Sequence, residues 1–128
     1  MTDVLNEWIA KAEGDFLTAS RELSVVDEPN YDAVCYHAQQ CAEKYLKALL
    51  IARGVTPPKI HDLAQLHRLL APVCFEWQWS LDELRLLSLS AVMSRYPGEF
   101  SELAEAQAAY EICRGVRARL RELLGLSE

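Results

Sequence analysis

The chain has 128 residues, 51% of them hydrophobic and 25% charged, with five glycines and five prolines. This length fits one domain around a single core, and this composition excludes disordered, collagenous and low-complexity chains. The net charge of -6, with a pI near 5.1, means that the overall field repels nucleic acid, so any RNA binding requires a local basic patch.

The first predicted helix begins at Thr2 or Asp3, either of which can serve as its N-cap, and ends before Asp27–Asn30. Apolar residues recur in it at helical spacing and form one stripe. The stripe consists of Leu5, Ile9, Ala12, Phe16, Ala19 and Leu23.

The second predicted helix runs from about Tyr31 to Arg53, and Gly54 is its C-cap residue. Its inward positions are Tyr31, Val34, Cys35, Ala38, Ala42, Tyr45 and Leu49. Because the connection to the first helix is short, the two helices are predicted to be antiparallel neighbours.

The segment Thr56–Pro58 cannot continue a helix, so the chain changes direction there. A shorter helix is predicted from near His61 and Asp62 up to Pro72. Its apolar residues are Leu63, Leu66, Leu69 and Leu70. Residues 73–79 contain two of the three tryptophans without a clear period, which predicts a packed connection.

The segment Ser80–Glu83 has Glu three residues after Ser, the capping-box pattern, and predicts the start of another helix. This helix contains Leu84, Leu87 and Ala91, and Pro97–Gly98 closes it. The last predicted helix runs from about Glu99 to Leu124. Its apolar side carries Leu103, Ala106, Tyr110, Cys113, Val116, Leu120 and Leu123.

No segment alternates with the period of two that is typical of a sheet, so the fold class is predicted to be all-α. Three helices of 20 or more residues with shorter ones between them predict an up-and-down four-helix bundle with an additional short helix. No repeat or linker divides residues 1–128, which we expect to form a single domain.

The apolar stretches, such as Ala48–Ala52, are far shorter than the roughly 18–20 residues of a membrane span. The segment Met1–Glu7 is acidic, whereas a secretory signal begins with basic residues. We therefore expect a cytoplasmic protein. Its four cysteines lie in periodic apolar patterns, which predicts buried free thiols.

Familiar catalytic motifs are missing from the sequence, including a glycine-rich phosphate loop, H-E-x-x-H, C-x-x-C and G-x-S-x-G. His37 and Cys41 stand four apart on the second helix, so both can reach one metal ion. A closed zinc site needs two further ligands. We predict no metal site and no cofactor.

Several polar residues along the second helix and after it are candidates for ligand binding. Glu43 and Lys47 stand four apart in the favourable order, which predicts a surface ion pair. The alternative for Lys44 and Lys47 is an ammonium group aimed at a phosphate. Asp62 suits an N-cap, and an exposed His61 beside it can act as acid, base or ligand.

The segment Ser94–Gly98 is the most distinctive in the chain. Arg95 matches the dipole at a helix C-terminus, and Tyr96 can simply pack beside it. A guanidinium next to a phenol, at a sharp break between two helices, equally suits a clamp for phosphate or carboxylate. The four arginines near the C-terminus offer the only positive patch, but they lie between Glu111 and Glu122, which predicts a solvated helix face.

Three segments, Tyr31–Leu50, Lys59–Leu63 and Ser94–Pro97, resemble the HEPN domain family, and the resemblance covers nearly the whole chain. It implies a small helical bundle, commonly dimeric and often encoded beside a minimal nucleotidyltransferase with which it pairs. The family's name records a proposed nucleotide-binding role. Several of its branches are metal-independent ribonucleases or toxins.

The ribonuclease branches carry Arg, four to six intervening residues, and then His. Arg95 matches the arginine, but Phe100 follows after four intervening residues, and no histidine lies beyond His67. In another branch a partner enzyme modifies a tyrosine two positions after that histidine, and Glu102 occupies that position here. The resemblance therefore implies a subunit without the usual ribonuclease arrangement.

The leading hypothesis from the resemblance is a non-catalytic homodimeric subunit that binds a nucleotide or phosphorylated ligand. It would pair with a minimal nucleotidyltransferase in a toxin–antitoxin-like module. Arg95 would contact phosphate, while Tyr96, Lys44, His61 and Asp62 would line the cleft.

Two alternatives stay open at the level of sequence. One is a metal-independent ribonuclease that uses His61 or His37 in place of the missing histidine. The other is a pure protein-interaction subunit with exposed Trp77 or Trp79 as its anchors.

Overall fold

The computed structural model describes residues 2–127, which form five helices and no strand. The helices are α1 (Asp3–Leu23), α2 (Tyr31–Ala52), α3 (Leu63–Leu70), α4 (Leu81–Met93) and α5 (Leu103–Leu123). Helix α2 packs against each of the other four. The all-α bundle with an additional short helix is thereby confirmed. Within the described residues no helix is long and apolar enough to cross a membrane.

Local side-chain hydrogen bonds define where the first four helices begin. Thr2, Asn30, Asp62 and Ser80 each accept a backbone N–H from the first turn of α1, α2, α3 and α4, respectively. Such caps satisfy amide groups that have no partner within the helix. The caps predicted at Thr2, Asp62 and Ser80 are confirmed.

Helix α5 begins at Leu103, later than the predicted start at Glu99. The backbone N–H of Ser101 donates to a carboxylate oxygen of Asp32 at 2.7 Å, which ties this segment to the first turn of α2. Glu102 then serves as N-cap in a capping box with Glu105. A contact from a distant part of the chain therefore holds the residues before α5 outside the helix.

The core is built along α2, whose fully buried apolar side chains meet the other helices. Those residues are Val34, Cys35, Ala38, Cys41, Ala42, Tyr45, Leu46, Ala48, Leu49 and Leu50. All four cysteines are buried and free, as predicted. Burial raises the pKa of Cys35, and contact with the Cys113 thiol together with burial raises that of Cys41, so both stay protonated thiols.

The connection between α3 and α4 is packed, as predicted, but its tryptophans are not exposed anchors. Trp77 is 1% exposed, and its Nε1–H donates to Nδ1 of His67 at 2.7 Å. Its ring stacks on that of Trp79, with 5.7 Å between the centroids, and Trp79 is half-buried. The hypothesis of exposed tryptophan anchors is therefore wrong, because these rings complete the core beside α3.

A polar cluster joins α1, α2 and α5 where a solvated arginine face was predicted. Arg117 donates from Nε and Nη2 to the two oxygens of Glu13, both at 2.7 Å. Arg121 and Tyr45 also contact this carboxylate. The side chains of Arg117 and Arg121 are only 16% and 13% exposed. The prediction was wrong for these two arginines, because α1 presents Glu13 to them.

Candidate functional site

A cleft of about 520 Å³ opens between α2, the segment before α3, and α4. Its lining includes the two arginines Arg85 and Arg95, together with His61 and Asp62. The remaining lining residues supply amide, hydroxyl, aromatic and aliphatic surface, and they are Tyr36, Gln39, Gln40, Ser88, Leu89, Ala91 and Val92. A cleft lined by two arginines, which keep their positive charge, and by a histidine, which can be protonated, favours an anionic ligand.

Arg95 follows the C-terminus of α4 and lies over the ring of Tyr36 from α2, with its Cζ 5.5 Å from the ring centroid. This cation–π contact restricts the guanidinium to one side of the cleft. Arg95 also lines a second cleft of about 270 Å³, which it shares with Tyr36 and His37. The arginine therefore borders both clefts.

Glu43 lies beneath the larger cleft and holds His61 in place. Its Oε2 is 3.0 Å from Nδ1 of His61 and 3.0 Å from Nζ of Lys47. Its Oε1 accepts a hydrogen bond from Nε2 of Gln39 at 3.0 Å. Burial alone would raise the pKa of Glu43, but these three hydrogen bonds outweigh that effect and lower it. The carboxylate is therefore ionised at neutral pH.

The predicted Glu43–Lys47 ion pair is present, but it is not on the surface. The side chains of Lys47 and Glu43 are 6% and 5% exposed. The ammonium of Lys47 also lies over the ring of Trp8, 5.7 Å from its centroid. The surface assignment was wrong because α1 and the segment before α3 cover this side of α2.

Three of the five predicted site residues, His61, Asp62 and Arg95, line the larger cleft. Asp62 does so while its carboxylate accepts the backbone N–H of Ala64 as the cap of α3. The cleft therefore gathers residues from two predicted segments, His61–Asp62 and Ser94–Gly98.

The other two predicted residues, Lys44 and Tyr96, lie outside the lining of this cleft. Lys44 points to α1, where its ammonium donates to Asp15. The same carboxylate lies 2.8 Å from Nδ1 of His37. Tyr96 is 58% exposed on the turn after α4.

Arg85, the second arginine that lines the cleft, was not among the site residues predicted from the sequence. One signal was available in the spacing of α4. Positions 85, 88, 89 and 92 share one face of a helix, and that face leads to Arg95. Arg85 stands about three turns before Arg95 on this face.

No group of three or more side chains suited to holding a metal ion occurs among residues 2–127. His37 directs Nδ1 to Asp15, and Cys41 is buried in the core.

The model of the HEPN domain matches residues 5–123 of the chain. TT1696 from Thermus thermophilus has a similar structure, with a TM-score of 0.76 and 24% identity over 94% of this chain and 98% of that one. ST0689, described as an archaeal HEPN homologue, has a TM-score of 0.65 and 22% identity over 94% of this chain and 97% of that one. At these identities the likeness shows the fold. No curated protein matches the chain.

Proposed function

Given that the chain belongs to the HEPN domain family, we propose that it is a non-catalytic, homodimeric subunit that binds a nucleotide or another phosphorylated ligand at Arg95. The observation that carries this proposal is the convergence of Arg85, Arg95 and His61 on one cleft. Guanidinium groups donate paired hydrogen bonds to phosphate oxygens. The contact of Arg95 with Tyr36 limits the conformational freedom that binding would otherwise remove.

The size and lining of the cleft also support a nucleotide. Its volume of about 520 Å³ lies within the range of small-molecule sites. Leu89, Val92 and Tyr36 supply apolar surface for a base, and Gln40 supplies an amide. The cations and the apolar wall together match a ligand with a charged and an aromatic end.

We expect the intact protein to bind ATP or GTP, and we expect Arg95→Ala to weaken that binding at least about tenfold, because a charge-assisted hydrogen bond to phosphate is lost. Isothermal titration calorimetry measures both affinities. Arg68→Ala is the matched control, since it removes the same charge from an exposed site on α3 outside the cleft. If the intact protein gives no heat of binding with ATP or GTP, the proposal of nucleotide binding is wrong.

The exposed face of α4 supports a homodimer. Leu86, Leu89 and Met93 recur at helical spacing and are 51%, 57% and 40% exposed. A contiguous apolar face of this kind marks an interaction surface. We propose that a second copy of the chain binds this face. Leu89 belongs both to this face and to the cleft, so a two-fold symmetric contact would bring the clefts of both subunits to one interface.

Pairing with a minimal nucleotidyltransferase, in a toxin–antitoxin-like module, is supported by family membership. Co-expression with the product of the adjacent gene, followed by size-exclusion chromatography, tests it. A complex that forms while nucleotide binding is absent would favour the pure interaction subunit instead.

A second candidate function, metal-independent RNA cleavage, is favoured by the two anchored histidines. Nδ1 of His61 faces Glu43 at 3.0 Å and Nδ1 of His37 faces Asp15 at 2.8 Å, which leaves each Nε2 available to exchange a proton. Each imidazole lines a cleft that includes Arg95. Cleavage of single-stranded RNA in the presence of a chelator, and its loss in His61→Asn or His37→Asn, would support this function. RNA that stays intact at high protein concentration would exclude it.

A further inference from the structure

The carboxylate of Glu43 lies under the cleft without lining it. We propose that Glu43 is a positioning residue that orients His61. In this orientation Nε2 of the protonated imidazole donates a hydrogen bond to a bound phosphate. The affinity for the ligand therefore falls when the imidazole loses its proton. This inference rests on the proposed function of the cleft. Glu43 acts on the ligand through His61, and pH changes the affinity for the ligand through the same imidazole.

The two side chains of this pair differ strongly in burial. His61 is 78% exposed, whereas Glu43 is 5% exposed. An imidazole so exposed would ordinarily sample several rotamers. Here its Nδ1 is held by Glu43 at 3.0 Å, and its own backbone carbonyl accepts a hydrogen bond from Gln39 at 3.0 Å. The ring and the backbone that carries it are thus both fixed by buried partners.

The hydrogen between Glu43 and His61 belongs to the imidazole. Glu43 is ionised and has no hydrogen to donate, so the hydrogen of the pair resides on Nδ1 of His61. In the neutral ring Nε2 is then an acceptor, which repels a phosphate oxygen. In the charged ring Nε2 is a donor and can form a hydrogen bond to the phosphate oxygen. One protonation step therefore reverses the interaction with the ligand.

Charged side chains either contact the ring or line the same cleft. Glu43 contacts it from α2, and Lys47 binds the same carboxylate oxygen. Arg85 from α4, Arg95 from the turn after α4 and the neighbouring Asp62 line the cleft together with His61. Arginine and lysine side chains ordinarily keep their charge between pH 5 and pH 8, whereas histidine changes its charge there. Of the residue types that line this cleft, histidine is therefore the one whose charge ordinarily depends on pH in this range.

Two measurements test the inference on the full chain. Nitrogen-15 NMR of the neutral imidazole should show the Nδ1–H tautomer for His61. Calorimetric titration with ATP should show affinity at least about tenfold weaker at about pH 8 than at about pH 6. In His61→Asn, which alters an exposed side chain, this pH dependence should be lost apart from the ionisation of ATP itself, which both proteins share.

A double variant, Glu43→Leu with Lys47→Met, tests the positioning role without leaving a buried ammonium unpaired. It should lose the Nδ1–H preference and most of the pH dependence while it retains binding through Arg95. An Nε2–H tautomer in the wild-type protein would overturn the inference whether or not a ligand binds. The same pH dependence of ATP affinity in the wild-type protein and in His61→Asn would overturn it while the proposed function stands, whereas absence of binding at every pH would overturn the proposed function.

Discussion

Glu43→Ala is expected to lower the free energy of unfolding by about 3–5 kcal/mol, the usual cost of breaking a buried ion pair from one side. The ammonium of Lys47, 6% exposed and 3.0 Å from the carboxylate, would remain buried without its counter-charge. The side-chain amide of Gln39 would lose an acceptor as well. Urea unfolding followed by circular dichroism measures the change.

Two control variants separate burial from charge in this experiment. Glu43→Leu with Lys47→Met should recover most of the loss, because replacing both partners by apolar groups avoids the unpaired charge. Glu111→Ala removes a carboxylate from an ion pair in which both side chains are 59% exposed, and it should cost at most about 1 kcal/mol. A loss for Glu43→Ala no larger than for Glu111→Ala would contradict the burial argument.

Leu86→Asp is expected to convert the proposed homodimer to a monomer, with a dimer dissociation constant raised at least about hundredfold. Leu86 lies on the apolar face of α4 with Leu89 and Met93. A carboxylate placed there would have to be desolvated on association, and two-fold symmetry would introduce it twice. Sedimentation velocity over a range of protein concentrations measures the constant.

Leu17→Asp provides the matched control for this substitution, since Leu17 is 48% exposed on α1 and Leu86 is 51% exposed on α4. The control protein should stay dimeric. A dimer that survives Leu86→Asp would exclude the α4 face as its interface, and a wild-type monomer at high concentration would contradict the homodimer itself. Because Leu86 is not a lining residue of the cleft, nucleotide binding can be measured separately in the same variant.

The helices were predictable because their signals are local. Apolar spacing marks each helix, and the caps at Thr2, Asp62 and Ser80 act within one turn of their own segment. The start of α5 was not predictable in this way, since the carboxylate of Asp32, far away in the chain, takes the N–H of Ser101.

The candidate site was predictable in part for the same reason. Arg95, His61 and Asp62 stand at breaks between helices, where unusual side chains are conspicuous in a sequence, and all three line the cleft. Arg85 lies within a regular helix, so its only signal is its spacing from Arg95 on one face of α4. Its role depends on which side of α4 faces α2, and this is set by packing.

Residue order and spacing were sufficient to establish which side chains share one side of each helix, and hence the number of helices and the fold class. They did not establish which neighbour covers that side. The Glu43–Lys47 pair and Arg117 have the spacing of surface residues, yet α1 buries the pair with Trp8 and brings Glu13 to Arg117. Burial depends on contacts between segments distant in the chain, whereas helical periodicity is a property of neighbours, so only the assembled bundle reveals a buried carboxylate beneath an exposed imidazole.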